Sequence, residues 1–128
     1  MGFDEFLTSI IDDGIEAARL DYARPNDQQK RDGSIRGFEE CRNLDPSLLV
    51  PLLSEAHAMT MNKYREEAAD YWYWRCRETE IEWVCNVVSA CLINEGLPPI
   101  STCTARGMLK AAEIIGVAEP RLSPPRGH

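Results

Sequence analysis

From Leu52 to Glu95 the chain contains neither glycine nor proline. Nothing in such a run stops a helix. Unbroken, it would extend about 65 Å at 1.5 Å per residue. That is too long for a compact domain of 128 residues, so a bend or loop is expected within Thr60–Glu67. The second part then becomes a long central helix over about residues 66–95. Its core, Glu66–Leu92, holds all three tryptophans (Trp72, Trp74 and Trp83), two of the four tyrosines (Tyr71 and Tyr73) and three of the five cysteines. The rest of the chain has to supply shorter helices that pack on it.

On a helical wheel the central stretch carries two apolar stripes. One holds Trp74, Ile81, Val84, Cys85, Val88, Cys91 and Leu92; the other, roughly opposite, holds Trp72, Cys76, Trp83, Val87 and Ala90. Arg75, Glu78, Glu82, Asn86 and Ser89 form a polar strip between them, and the alternating Glu78, Glu80 and Glu82 read as exposed charge. A helix apolar on two faces must be sandwiched. The remaining elements suffice for one face, so a homodimer through Trp72, Cys76, Trp83 and Val87 is expected.

The flanking elements follow from apolar spacing and punctuation. Phe3, Phe6, Leu7, Ile10, Ile11, Ile15, Ala18 and Tyr22 recur at three- and four-residue steps and predict a first helix over Phe3–Tyr22. Arg24-Pro25-Asn26-Asp27 reads as a break. Gln28–Asn43 is a weaker helix, with only Ile35, Phe38 and Cys41 on its apolar face and Gly33 and Gly37 diluting it. Asp45 fits an N-cap and Pro46 a first helical position, with Pro51 marking a kink or a separate turn. Gly96, Pro98 and Pro99 end the central helix. A last helix is expected from Thr102 or Thr104 to Ile115, with Gly116 as its stop. The expected fold is all-α: a bundle of about four to five helices in one domain over residues 1–118, followed by a proline-rich tail over 119–128.

Charge and cysteine usage narrow the function. The formal net charge of −7 argues against binding DNA, RNA or an anionic membrane unaided, because phosphate neutralisation needs clustered Lys and Arg. An acidic surface suits a basic protein partner. The five cysteines form no C-x-x-C, and His57 and His128 are the only histidines, so no zinc spacing arises. No charged-then-apolar leader and no long apolar run is present. The expectation is a cytoplasmic chain with reduced, buried thiols and no cofactor.

Three sets of residues carry possible chemistry. Asp70 and Arg77 lie two helical turns apart on the face of Trp74, with Tyr73 beside them and Glu66 toward the same side. Such charges on an apolar stripe form either an internal ion-pair network or a pocket where Arg and aromatic walls take a small anionic, nucleotide-like ligand. Ser101–Arg106 opens the last helix, where Ser101, Thr102 or Thr104 caps it, or the hydroxyls, Thr104 among them, hold an anion with Arg106. Finally, Glu67-Ala68-Ala69-Asp70 is an E-x-x-D followed by an aromatic run. On those residues the chain resembles the second half of the metal site in the all-helical nucleotide pyrophosphohydrolases related to MazG. The resemblance implies a magnesium-dependent nucleotide hydrolase using Glu66, Glu67 and Asp70. It covers about one helical turn and departs in the first half: Glu39 and Glu40 are followed three residues later by Arg42 and Asn43, and the D-x-x-E of Asp13 and Glu16 falls in the apolar first helix.

The leading expectation is a small, acidic, non-enzymatic interaction protein that regulates or inhibits a protein partner. Size and charge alone associate it with the inhibitors that phages and prophages carry against host defences. The alternatives are a binder of a small anionic ligand through Asp70, Tyr73, Trp74, Arg77, Thr104 and Arg106, and the MazG-like hydrolase.

Overall fold

The computed structural model describes residues 2–100 together with residues 111, 113 and 116. The fold is all-α. Helix α1 spans Phe3–Asp21, α2 Gln28–Cys41, α3 Leu49–Arg65 and α4 Tyr71–Asn94. Single 3₁₀ turns over Pro25–Asp27 and Pro46–Leu48 lead into α2 and α3. Ala111, Glu113 and Gly116 have helical backbone, and the residues after Gly116, which would show whether it ends the helix, lie outside the described ones. The rest of the last expected helix, with Thr104 and Arg106, and the tail over 119–128 lie outside the described residues.

Punctuation explains most of the boundaries. Asp45 accepts a hydrogen bond from the Ser47 backbone N–H at 2.9 Å. Pro51 falls in the first turn of α3, where a missing N–H leaves no bond unmade, so α3 continues through it, after the separate turn at Pro46–Leu48. At the end of α4, Leu97 N–H reaches the Leu92 carbonyl at 2.8 Å and Gly96 N–H reaches Ile93 at 2.9 Å. With Gly96 at φ +78°, this is a Schellman ending.

The long glycine-free run does break, at Glu66–Asp70, and the central helix begins at Tyr71 rather than near residue 66. The break uses the same ending without a glycine. Ala68 N–H bonds the Lys63 carbonyl at 3.0 Å, Glu67 N–H bonds Tyr64 at 3.1 Å, and Glu67 itself takes the left-handed conformation at φ +51°.

Helix α4 is the axis of the core. Ile81, Val84, Cys85, Val87 and Val88 are fully buried, with Ala90 and Cys91 close to it. They pack with Phe3, Phe6, Leu7, Ile11 and Ile15 of α1, Phe38 and Cys41 of α2, Leu49 and Ala56 of α3, and Ala111. One chain therefore covers most of both apolar stripes and leaves Trp72 of the second one exposed. Two glycines let α2 lie directly on α4. A Cβ at Gly33 would stand 2.1 Å from the Tyr73 carbonyl oxygen, and one at Gly37 would stand 2.6 Å from that of Arg77. The cysteines Cys41, Cys76, Cys85 and Cys91 are buried. Burial pushes the Cys41 thiol up to about 12 and that of Cys91 to about 11.

Candidate functional site

The charged and aromatic residues singled out by the sequence do gather where α2, α3 and the first half of α4 meet. Arg77 is 2% exposed. Its Nε and Nη2 donate to the two carboxylate oxygens of Glu40 on α2 at 2.6 and 2.7 Å, and Nη2 also donates to Glu55 on α3 at 2.6 Å. Arg36 Nε joins the same Glu40 at 2.8 Å, and its Nη1 donates to the Tyr73 hydroxyl at 3.1 Å. Two arginines and two glutamates thus balance. The Trp74 ring lies 4.9 Å from the Arg36 guanidinium and 5.5 Å from that of Arg77. Bonds to Arg77 hold the Glu40 carboxyl below the usual carboxylate range despite its burial. Bonds to Glu40 and Glu55 raise Arg77 further above its ordinary value.

This is an ion-pair network tying three helices. Arg77 has its charge committed inside the fold, and only Nη1 is left buried without a partner. A cleft of about 360 Å³ does lie beside Trp74, lined by Gln28, Gln29, Asp32, Asp70, Tyr73 and Trp74. Arg77 is not on it, while two carboxylates are, which is the wrong charge for an anionic ligand. Asp70 accepts a bond from Trp74 Nε1 at 2.9 Å and has Lys63 3.6 Å away. The Trp74 bond is the main reason its carboxyl sits below the usual range.

The acidic set of the pyrophosphohydrolase resemblance is not on a helix. Glu66 ends α3, Glu67 is left-handed and Asp70 precedes α4. The facing-helix geometry that the resemblance implies is therefore missing at those residues. Among the described residues, no three His, Cys, Asp or Glu side chains are grouped to hold a metal ion.

The face assigned to a dimer divides. Cys76 and Val87 are buried within the chain, because α2 and α3 pack around α4. Trp83 is half-buried against the core. Trp72 is 52% exposed and belongs to a different surface. Its ring meets Tyr71 edge-on at 5.2 Å, Tyr71 meets Tyr64 at 5.9 Å, and Lys30 lies 4.9 Å over Trp72. Tyr64, at 65% exposure, stands one residue before the end of α3. The turn at Glu66–Asp70 brings it back onto α4. Sequence reasoning missed Tyr64 because its partner in space is seven residues away across that turn.

It also missed Glu40 and Glu55, whose roles exist only once three helices meet. Glu78 is not exposed charge: it is 7% exposed, with Oε2 2.7 Å from His57 Nδ1 on α3 and Oε1 without a partner. Glu80 is half-buried as well. Between Cys76 and Cys91 only Thr79 is exposed, so the acidic residues there are drawn inward.

No protein-family model matches this chain, and neither a curated protein nor a solved structure resembles it closely enough to count as a match.

Proposed function

We propose that the chain is a non-enzymatic interaction protein that grips a protein partner through Tyr64, Tyr71 and Trp72. The observation that carries this reading is the exposure of Tyr64 and Trp72 on one surface, joined through Tyr71 by ring contacts. Large aromatic rings left in water are a cost to the free protein. In partner contacts they supply wide apolar area with little rotamer entropy to lose, and Trp and Tyr dominate the energetics of interfaces. The rings lie at the junction of α3 and α4, and α4 is anchored there by the Arg77 network, so the patch is presented rigidly.

The test compares the tagged wild type with the Tyr64→Ala/Trp72→Ala double variant in a pull-down read by mass spectrometry. A partner retained by the wild type and lost by a variant of unchanged thermal stability supports the reading. Loss of two such rings weakens binding by about 2 kcal/mol or more, roughly thirtyfold. Equal recovery with both proteins, or no protein enriched by the wild type, sinks it. Sedimentation of the same two proteins separates a foreign partner from a second copy.

A further inference from the structure

A cavity of about 670 Å³ lies between α1, α2 and α4, away from the residues assigned above. Space is left there because α1 faces it with Ala17 and Ala18 rather than with large side chains. Its walls include the rings of Tyr22, Phe38 and Trp83, and the acidic groups on it are Asp21, Glu80 and Glu113. No basic residue is among the described residues lining it.

Two groups on this cavity lack what their burial demands. Ser34 is 1% exposed, and its Oγ has no hydrogen-bond partner in bonding geometry; the weakly accepting Cys76 thiol is its polar neighbour. A buried hydroxyl left unmet costs free energy that a ligand group can recover. Glu80 forms no ion pair among the described residues, and burial alone pushes its carboxyl up to about 7. The titratable groups that face it are acidic: Tyr22 on α1 and Cys76 on α4 interact with it through space, and Asp21 and Glu113 share the cavity. A carboxylate so placed is stabilised by an incoming positive charge, and no described residue beside it supplies one.

We propose that this cavity binds a small organic cation, an amine or amidine carried on a flat apolar body, with the cationic group between Glu80 and Ser34 and the body against Trp83. The volume suits such a ligand, and the aromatic walls favour both its apolar part and its charge. The three carboxyl groups turn anions away. This site stands independently of the aromatic patch at Tyr64 and Trp72.

The experiment is isothermal titration of the full chain at neutral pH with tryptamine and benzamidine. Indole and benzamide serve as neutral analogues, and indole-3-acetate and benzoate as anionic ones. Both cations are expected to bind saturably. The neutral analogues should bind at least about tenfold more weakly, which is the worth of one charge-assisted hydrogen bond. Because Glu80 ionises as the cation enters, the binding heat should change between buffers of different ionisation enthalpy, in the sense of proton release. Glu80→Gln should weaken cation binding at least about tenfold while Leu48→Ala, an exposed position away from the cavity, leaves it unchanged. Ala17→Leu, which fills the space without touching a charge, should abolish it and keeps the test intact if Glu80→Gln folds poorly. The proposal is overturned by the absence of saturable binding of either cation up to about 10 mM, by equal binding of the neutral analogues, or by full binding in Ala17→Leu.

Discussion

The contact of α2 with α4 makes Gly33→Ala a sharp test of the packing. On propensity alone the change should help, because alanine is better than glycine inside a helix by about 1 kcal/mol. The added methyl, however, would stand 2.1 Å from the Tyr73 carbonyl oxygen and 2.8 Å from its carbon. Ordinary contact begins near 3.4 Å, so the two helices must part by about 1 Å at this point, enough to forfeit a quarter to a half of the local dispersion energy. The obstacle is the backbone of a helix, not a side chain that swings aside, so the upper part of the overpacking range of about 1–3 kcal/mol applies. The net expectation is a loss of about 2 kcal/mol. Urea unfolding followed by tryptophan fluorescence and far-UV circular dichroism measures it as a lower midpoint at an unchanged slope. Gly116→Ala is the control: an added Cβ there meets nothing within 4 Å, and the expected change is neutral to stabilising. A Gly33→Ala protein as stable as the parent would refute the close approach of α2 and α4.

Further expectations follow from single features. Arg77→Met removes the tie between α2, α3 and α4 while Glu40 keeps Arg36 and Glu55 is half exposed, and should cost about 1–3 kcal/mol in urea unfolding. Adding Glu40→Gln and Glu55→Gln should recover much of that loss. Glu67→Gly relieves a left-handed residue that carries a Cβ and should raise stability by roughly 0.5–1 kcal/mol, read as a higher melting temperature. Glu80 makes stability depend on pH. Its folded value of about 7 lies above the ordinary 4.5, so the folded state holds the proton more tightly. The stability this gives is complete below the ordinary value and is lost as pH rises through 7. At one unit per 1.36 kcal/mol the loss reaches up to about 3 kcal/mol. Melting temperatures should fall across that window, and Glu80→Gln should flatten the slope.

Much of the architecture was legible. The three- and four-residue recurrence in Phe3–Tyr22, the Asp45-Pro46 start and the Gly96 stop each fix a boundary through local chemistry, and the helices match them closely. What was not legible needed the third dimension. Gly33 and Gly37 read as weak points of a helix because one chain segment alone does not show that another backbone needs their space. Glu67 gave no sign of a break because nothing in a glutamate demands a left-handed backbone; the demand comes from the packing of α3 and α4. Asp70, Tyr73, Trp74 and Arg77 were rightly seen as neighbours. The balance of charge around Arg77 depends on Glu40 and Glu55, each more than twenty residues away in sequence, and that balance is what separates a structural tie from an anion pocket. Glu80 was taken for surface charge because a wheel shows direction from one helix and says nothing of how many others surround it.

The buried cysteines have a kinetic consequence. Cys41, Cys76, Cys85 and Cys91 sit on two helices, α2 and α4, which Gly33 and Gly37 allow to lie close together. A thiolate is the reactive species, and burial holds at least Cys41 and Cys91 as neutral thiols. An alkylating reagent therefore reaches Cys41 and Cys91 only when the helices around them part. The rate at which those two thiols are alkylated then counts openings of the core, so the chain carries its own clock for how often that core comes apart.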